Sequence, residues 1–514
     1  MSIEIIKDLI KVEEVKGTEE VQTMVETEIY LNTNKQEIDS ILWVEGRTEV
    51  LNTNIFKDKL LVNGRVKFNI VYRGLDEEKN LHTLETSKDF KEEIDIEGIA
   101  EGMECDIKAS IDHIEYDLGE NRIDLQALLN LNAKVEETKE LEVVHEIQGD
   151  KGLQILEEDI TYKEVYGRDI SYANVKEEIV VAGDKPPIEK VVRFSVHPRE
   201  LQTLVAEDRL IVSAEANVSL IYLGDNKINY IRESIPFNHF VELPGVEKDS
   251  LGEVKLEVVE GLYEIMEDEM GDLRHIDLDI NIRVEGKVYD YMTRPLVVDL
   301  YSTKEELNIE KEDITILENV DILSEEEDLK LELEVDALEV LDIKDDFNLI
   351  DYRILGDEIV VESLLSLELF YLNGRGEVRH YMDHFPFKSN IYYSGSDRDL
   401  ELDVRAKLAD LDYELTDQLS LKAIAKYDVY LNRERTIESI KEIEETGQVI
   451  DLSNRPSIIV YIVQKGDKLW DIAKRYKTTV EDILSSNNLD PAYEIQVGDK
   501  IIIEKFLDND FENM

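Results

Sequence analysis

The residues of this 514-residue chain that most resemble metal ligands are two histidines four positions apart. His380 and His384, with Asp383 between them, stand in the stretch HYMDHFPF. Positions four apart on a strand share one face, and two imidazoles with a carboxylate are ligands that zinc accepts. The other two copies of the internal repeat described below lack this pair. We therefore predict no metal here and interpret the stretch as a strand leading to Phe387, with the metal site left as the alternative.

Other sequences that could bind ions or carry out catalysis are weak. The acidic turns DLGEN and EDEMGD lack the ligand spacing of a calcium loop, so they are better interpreted as solvated hairpin turns. The chain contains no phosphate-binding GxxxxGK[ST] loop, no GxSxG elbow and no HExxH pair. Nothing distinguishes a catalytic pair among its 118 acidic residues. We predict no catalytic residue and no cofactor, and therefore a protein that is not an enzyme.

Composition narrows the class of protein further. The chain has 58 basic and 118 acidic residues, a formal charge of −60, which disfavours nucleic acids and anionic lipid surfaces as partners. A hydrophobic fraction of 42% is enough for packed cores. Cys105 is the only cysteine, so an intramolecular disulfide is impossible. Neither a signal-peptide core nor a membrane-spanning apolar run is visible, so we expect a soluble protein that stays inside the cell.

The elements that would position any binding residue begin with a threefold internal repeat. Three apolar runs, KLLVNGRVKFNIVYRG, RLIVSAEANVSLIYLG and EIVVESLLSLELFYLNG, each lead to a tyrosine. These tyrosines, at intervals of 150 and 149 residues, are Tyr72, Tyr222 and Tyr371. A phenylalanine eight residues before a glycine follows in every copy, as Phe90 and Gly98, Phe237 and Gly245, and Phe387 and Gly395. We interpret these aromatic residues as packing residues of a repeated domain.

Each repeat has the alternation of a β-meander. In the stretch from Val66 to Ile70, apolar and polar residues alternate, which places one face toward a core. Several such strands joined by Gly, Asn and Asp turns predict a sandwich or barrel-like domain. The strand–Tyr–turn–Phe…Gly pattern resembles the SPOCS domain of spore coat morphogenetic and related proteins of endospore-forming bacteria. That resemblance implies a structural or self-associating role and supplies no catalytic signature.

The C-terminal stretch YIVQKGDKLWDIAKRYKTTVEDILSSNNLD has a different pattern. A short strand precedes Gly466 and Asp467, and we expect Asp467 to cap the helix that follows. Two short amphipathic helices come next, and Thr478 and Thr479 offer a capping hydroxyl for the second, which has acidic residues in its first turn. KIIIE from Lys500 then supplies a closing strand. The predicted order is β-α-α-β.

This stretch is similar to LysM domains, which usually bind N-acetylglucosamine polymers such as peptidoglycan or chitin. The resemblance implies a shallow groove between the loop after the first strand and the loop before the last. It departs from the usual pattern at two groove positions, with Lys468 for Thr and Val497 for Pro. Together with Trp470 at their edge, the predicted groove residues are Gly466, Asp467, Lys468, Leu469, Asn488, Leu489, Ile495, Gln496 and Val497.

Trp470 admits two interpretations. It follows Leu469 on the first helix and lies about 100° from the apolar stripe, so the core needs it only in part. Either it covers the edge of the small domain, or it anchors a partner, because aromatic residues beside a charged rim are frequent interface hot spots. We favour the anchor.

SPOCS-like repeats with one C-terminal LysM-like domain resemble clostridial spore coat morphogenetic proteins. The resemblance implies a mother-cell cytoplasmic protein at the forespore surface, within the spore coat. Its implied partner is the basement-layer coat ATPase, bound through the LysM domain, with other coat proteins on the repeats. A glycan-binding protein of the cell wall or spore cortex is the alternative.

The predicted fold is mainly β, with three tandem sandwich or barrel-like SPOCS-type domains followed by a small βααβ LysM domain. We expect the Gly, Asn and Pro residues between the third repeat and the LysM domain to form a joint with few contacts. The predicted segments are an N-terminal segment 1–18, repeats 19–160, 161–312 and 313–445, a linker 446–457, the LysM domain 458–506 and an acidic tail 507–514.

Overall fold

Strands make up most of the structure, a computed structural model, and the only two helices among its described residues lie near the C-terminus. Neither helix is long and apolar enough to cross a membrane. The described residues are 3–30, 38–75, 81–119, 122–149, 152–395, 400–416, 418–453 and 455–504.

Each repeat consists of six strands in the same order. The first repeat contains β1 (Glu4–Tyr30), β2 (Ile38–Phe56), β3 (Lys59–Gly74), β4 (Leu81–Asp95), β5 (Glu104–Leu118) and β6 (Arg122–Gln148). The second contains β7 (Leu153–Val180), β8 (Lys190–Ala206), β9 (Arg209–Gly224), β10 (Lys227–Glu242), β11 (Leu251–Glu267) and β12 (Leu273–Ser302). The third contains β13 (Glu305–Leu333), β14 (Ala337–Leu355), β15 (Glu358–Asn373), β16 (Val378–Tyr392), β17 (Glu401–Leu415) and β18 (Leu419–Val449).

The first and last strands of each repeat are its longest, and they pair antiparallel along their whole length. In the first repeat the pairing runs from Glu4 opposite Gln148 to Tyr30 opposite Arg122. The predicted boundaries after residues 18, 160 and 312 therefore fall inside β1, β7 and β13, and the boundary after 445 falls inside β18. The structure moves the junctions between repeats to the segments between β6 and β7 and between β12 and β13. Pairing between residues 86 to 149 positions apart produces these elements, and no local pattern shows it.

The second, third and fourth strands of each repeat form a three-stranded sheet, with β3, β9 or β15 at its centre. This small sheet packs face to face on the long strands. In the first repeat, Val66, Phe68 and Ile70 of β3 share a buried cluster with Leu125 and Leu129 of β6. The period-2 pattern thus places its apolar side in a sandwich core, which confirms the predicted fold class.

The repeated aromatic residues and glycines have structural roles. All three repeat tyrosines are buried, as core packing requires: Tyr72, Tyr222 and Tyr371. Gly98 and Gly245 have φ values of 88° and 87°, a region that favours glycine. Their amides donate to the carboxylates of Asp58 and Asp208 at 2.8 and 2.7 Å. In the first two repeats the glycine therefore closes the loop after the strand that contains the phenylalanine.

Equivalent residues of the three repeats meet in shared cores. One buried cluster takes residues from all three small sheets, namely Trp43, Val71, Val192, Ile221, Leu341, Phe370 and Val378. A second takes residues from the long strands, namely Ile10, Val12, Val143, Ile160, Tyr162, Leu296, Val298, Ile314, Ile316 and Ile437. Single backbone pairs, Val12 with Glu164 and Glu318 with Tyr162, also link the long strands. The repeats therefore pack around a common axis, as subunits of a trimer do.

A buried ion cluster near this axis uses one residue from each repeat. Arg193 of β8 donates from Nε to Glu45 Oε2 of β2 at 2.8 Å and from Nη1 to Asp342 of β14. The Arg193 side chain is 0% exposed. Burial alone would lower its pKa, but Glu45 and Asp342 outweigh burial and raise the pKa above its ordinary value. The guanidinium therefore stays charged inside the molecule.

Further ion pairs join each repeat to the next around the axis. Asp106 of the first repeat pairs with Lys255 of the second. Glu253 of the second repeat pairs with Arg405 of the third at 2.7 Å. Asp403 of the third repeat pairs with Lys134 of the first at 3.6 Å. All six residues line one cavity of about 1100 Å³. The three junctions differ in sequence but share a carboxylate on one repeat and a cation on the next.

The C-terminal domain has the predicted βααβ order and its own core. Ile472 and Ala473 of the first helix pack with Ile483 of the second and with Ile501 and Ile503 of the last strand. Its elements are β19 (Ile458–Ile462), α1 (Leu469–Tyr476), α2 (Val480–Asn487) and β20 (Lys500–Glu504).

The two helices begin differently. Of the two threonines predicted to offer a cap, Thr479 caps α2: its hydroxyl accepts from the Asp482 amide at 2.9 Å, and the Asp482 carboxylate accepts from the Thr479 amide. The predicted cap of α1 is wrong, since its N-cap is Lys468, without a side-chain hydrogen bond. Asp467 accepts from the Gln464 amide at 2.8 Å instead. Its carboxylate is used to close the turn.

The segment before this domain is tied to the body of three repeats. Strand β18 continues to Val449, and the Ile450 amide donates to Lys304 O at 2.9 Å. Arg455 donates to the Tyr476 carbonyl of the C-terminal domain. The predicted linker 446–457, of which residue 454 lies outside the described residues, thus contacts the chain on both sides.

Candidate binding groove of the C-terminal domain

The predicted groove residues come from the two loops that flank the helices. Backbone hydrogen bonds join these loops, from Val463 N to Asp499 O and from Gly498 N to Val463 O, both 2.9 Å. The exposed members of the predicted set are Gly466, Lys468, Asn488, Gln496 and Val497. The half-buried members are Asp467, Leu469, Trp470, Leu489 and Ile495. The groove therefore has an apolar floor that belongs to the domain core and an accessible, mostly polar rim.

Two turns of the same sequence type shape this groove. Gly466 and Gly498 have φ values of 92° and 97°, and an aspartate follows each. Asp499 accepts from the Gln496 amide at 2.8 Å, as Asp467 does from Gln464. Each carboxylate also accepts a tyrosine hydroxyl, at 2.6 Å for Tyr461–Asp467 and 2.9 Å for Tyr493–Asp499.

Sequence reasoning missed Gly498, Asp499 and Tyr493. The signal was present, because QKGDK and QVGDK are the same motif on the two sides of the groove. In both turns the glycine is exposed, and the carboxylate of the aspartate after it holds a backbone amide of the turn. Two equivalent turns therefore flank the predicted groove.

The two departures from the LysM pattern lie on the surface. Lys468 is exposed, and Val497 is 69% exposed. Neither residue belongs to the domain core, so the substitutions leave the fold intact. They add a cation and an aliphatic side chain to the rim, groups that a protein surface could match.

Trp470 contacts the repeats. Its Nε1 donates to Asp299 Oδ2 of β12 at 2.7 Å, and its ring meets the Tyr301 ring edge-on at 5.0 Å. The Tyr301 hydroxyl donates to Thr478 O at 2.7 Å. Neither interpretation of the sequence included this role, because Asp299 lies 171 residues away.

The stretch KRYK, residues 474–477, contains three basic residues, and two of them take part in the same contact. Lys474 Nζ donates to both Asp299 oxygens, at 2.7 and 2.8 Å, and Lys477 pairs with Glu306 at 3.1 Å. Arg475 points elsewhere and lies near the Tyr461 hydroxyl at 3.3 Å. In place of the expected joint with few contacts, the C-terminal domain is docked on the repeats through α1 and the turn after it.

Asp299 is the centre of this contact. Lys311 Nζ also lies 3.2 Å from its Oδ1, so three donors surround one carboxylate. Burial alone would raise the pKa of Asp299, but the hydrogen bonds from Lys474 and Trp470 and the charge of Lys311 hold that pKa below its ordinary value. Asp299 is therefore ionised at neutral pH.

The histidine pair of β16 makes ordinary polar contacts. His380 Nε2 lies 2.9 Å from Glu368 Oε1, and His384 Nδ1 lies 2.8 Å from Ser366 Oγ. In the part of the chain that the structure describes, no group of three or more His, Cys, Asp or Glu side chains is arranged to hold a metal ion. The two imidazoles thus have different partners.

Cys105 is half-buried and packs against a core cluster of the first repeat. Burial, with a smaller contribution from Asp106, raises the pKa of its thiol to about 12. The thiolate is the reactive form of cysteine, so this thiol is poorly suited to nucleophilic chemistry at neutral pH.

Comparison with protein-family models identifies the domains. The SipL SPOCS domain matches three times, over residues 37–119, 187–266 and 336–416, and the LysM domain matches residues 461–504. The chain therefore contains three SPOCS domains of the SipL type followed by one LysM domain. Searches of the curated proteins and of the solved structures found no match.

The matches confirm the three repeats and the C-terminal LysM domain, and they identify a sporulation protein whose domains are of a non-catalytic, binding type. Each SPOCS match covers the small sheet and the strand after it, such as β2 to β5 in the first repeat. The long strands at both ends of each repeat lie outside the matches. These strands supply a core in which the repeats meet.

Proposed function

We propose that this chain is a non-enzymatic assembly factor of the spore coat. Its LysM groove would dock on the ATPase of the coat's basement layer, at the forespore surface in the mother-cell cytoplasm, and help the coat encase the forespore. Three SPOCS domains and one LysM domain support this proposal. The observation that carries it is the orientation of the LysM domain, because α1 is held by the repeats while the groove rim is exposed.

Docking has a consequence for binding. A domain that already has a fixed place on the body loses less freedom when it binds a partner than a domain on a flexible tether. The body would then lie at a defined position relative to the basement layer. Its acidic repeats would recruit or space later coat proteins.

Charge also distinguishes the two parts. Residues 460–506 contain 7 basic and 8 acidic residues, whereas the whole chain carries −60. The LysM domain is thus nearly neutral beside a strongly acidic body. A protein partner would meet the groove without strong repulsion, and Lys468 would favour an acidic group on that partner.

Binding of the full chain to the purified basement-layer ATPase tests the proposal. We expect Lys468→Glu to weaken binding about tenfold or more, because it reverses a rim charge. Lys465→Glu is the matched control, an exposed lysine three residues earlier and outside the predicted groove. Equal affinity of both variants and the unmodified chain would reject the groove as the docking site.

The alternative function is binding of N-acetylglucosamine polymers. The match over residues 461–504 favours it, as do the exposed amides of Asn488 and Gln496, which suit sugar hydroxyl and acetamido groups. Sedimentation of the full chain with purified peptidoglycan tests this alternative. Retention that Gln496→Ala abolishes, without binding to the ATPase, would replace our proposal by the glycan function.

A further inference from the structure

The LysM sheet has an apolar outer face. Along β19, alternate side chains point to opposite sides, and Ile459 and Tyr461 pack toward the helices. The other three residues point away from the domain core and are 59%, 59% and 56% exposed: Ile458, Val460 and Ile462. Aliphatic residues this exposed and this close together often mark an interaction site.

The register of the two strands adds a charge at each end of this face. Val460 lies opposite Ile502, which extends the apolar row across the sheet. Ile462 lies opposite Lys500, and Ile458 lies opposite Glu504. We call the outer side of β19 and β20 the outer face. It is an apolar row with a cation at one end and an anion at the other.

The outer face is separate from the other contact surfaces of the domain. The contacts that dock the domain on the repeats come from α1 and the turn after it. The groove lies in the loops. The exposure of Val460 is that of the docked domain within the whole described chain, so docking leaves the outer face accessible.

We propose that the outer face binds a second copy of this chain about a twofold axis. A twofold interface brings the same patch of both copies together, so the patch must be complementary to itself. The outer face meets this condition. With the strands of the two copies antiparallel, Lys500 of each copy would lie over Glu504 of the other, and Val460 would lie near the axis.

The size of the outer face sets the strength of the association. Four aliphatic side chains cover far less than the roughly 800 Å² per partner of a stable interface. We therefore expect a weak dimer, with a dissociation constant on the order of tens of micromolar or higher. Such a contact becomes effective where many copies are held close together. It does not depend on the ligand of the groove.

Sedimentation velocity of the full chain over a wide concentration range tests the association. We expect a reversible shift from monomer to dimer that Val460→Lys removes, since two lysines would meet near the axis. Val497→Lys is the matched control, an exposed valine of the same domain outside the outer face, and it should dimerise like the unmodified chain. Circular dichroism of both variants checks that they are folded.

Charge exchange tests the twofold geometry itself. Lys500→Glu alone and Glu504→Lys alone should each weaken the dimer at least about threefold, since like charges then meet. An equimolar mixture of these two variants should associate again, because opposite charges meet at both ends. The double variant should also recover.

Three outcomes would overturn the proposal. A full chain that stays monomeric throughout the range would do so, as would a dimer that survives Val460→Lys. If the chain dimerises only after residues 505–514 are removed, the outer face is a binding site for the chain's own C-terminal end.

Discussion

Asp299 is the residue on which the attachment of the LysM domain depends most. Asp299→Asn keeps the size of the side chain but removes the charge that Lys474 and Trp470 bind. We expect the docked state to lose on the order of 2 kcal/mol, the usual contribution of hydrogen bonds to a charged group. Hydrogen exchange measures this as faster exchange in α1, with the repeats unchanged.

The matched control for this variant is Glu310→Gln, which removes an exposed carboxylate 2.8 Å from Lys441. We expect it to leave exchange in α1 unchanged, because an exposed pair contributes little. Equal exchange in both variants would show that Asp299 does not hold the domain.

The contribution of the Asp299 carboxylate to stability should depend on pH. The pKa of Asp299 is lowered in the folded chain, so its contribution is complete above the unfolded pKa of about 4 and is lost as pH falls through the folded value. We expect the difference in unfolding free energy between the unmodified chain and Asp299→Asn to be constant near neutral pH and to shrink below about pH 4. Denaturant unfolding at each pH measures it. A constant difference down to pH 3 would contradict the prediction.

Among the elements, α2 has a defined start. Thr479→Ala removes the hydroxyl that accepts from the Asp482 amide. We expect a loss of about 1 kcal/mol in the stability of the LysM domain, the typical value of a helix N-cap. Hydrogen exchange of the α2 amides measures this loss. Ser485→Ala, on the exposed side of the same helix, is the control and should change it little.

At the scale of the whole molecule, one arginine connects three repeats. Arg193→Met leaves Glu45 and Asp342 without the cation they share. Removal of one partner from a buried ion cluster typically costs about 3–5 kcal/mol, and we expect a loss of that size. Urea unfolding followed by circular dichroism measures it.

Arg65→Met is the control for this variant, because Arg65 pairs with the exposed Asp89 at 2.6 Å. We expect little change in its unfolding midpoint. If the two variants unfold at the same urea concentration, the buried cluster does not contribute to holding the repeats together.

The amino-acid sequence by itself determined the local structure of this protein. Alternation along β3, β9 and β15 showed which side chains face a core, and three copies of one pattern showed the repeats. Helical spacing and the capping threonines at 478 and 479 showed the two helices of the LysM domain. Each signal extends over a few residues, which is why a linear pattern contains it.

Only the tertiary structure decided how these parts meet. The pairing of β1 with β6, the ion cluster of Arg193 and the contact of Trp470 with Asp299 join residues more than 90 positions apart. The core of the LysM domain needs Trp470 only in part, and the polar partner of its indole, Asp299, lies on β12. Such contacts depend on the packing of whole domains, and in a chain with 118 acidic residues the sequence does not distinguish the one carboxylate that packing brings to the indole.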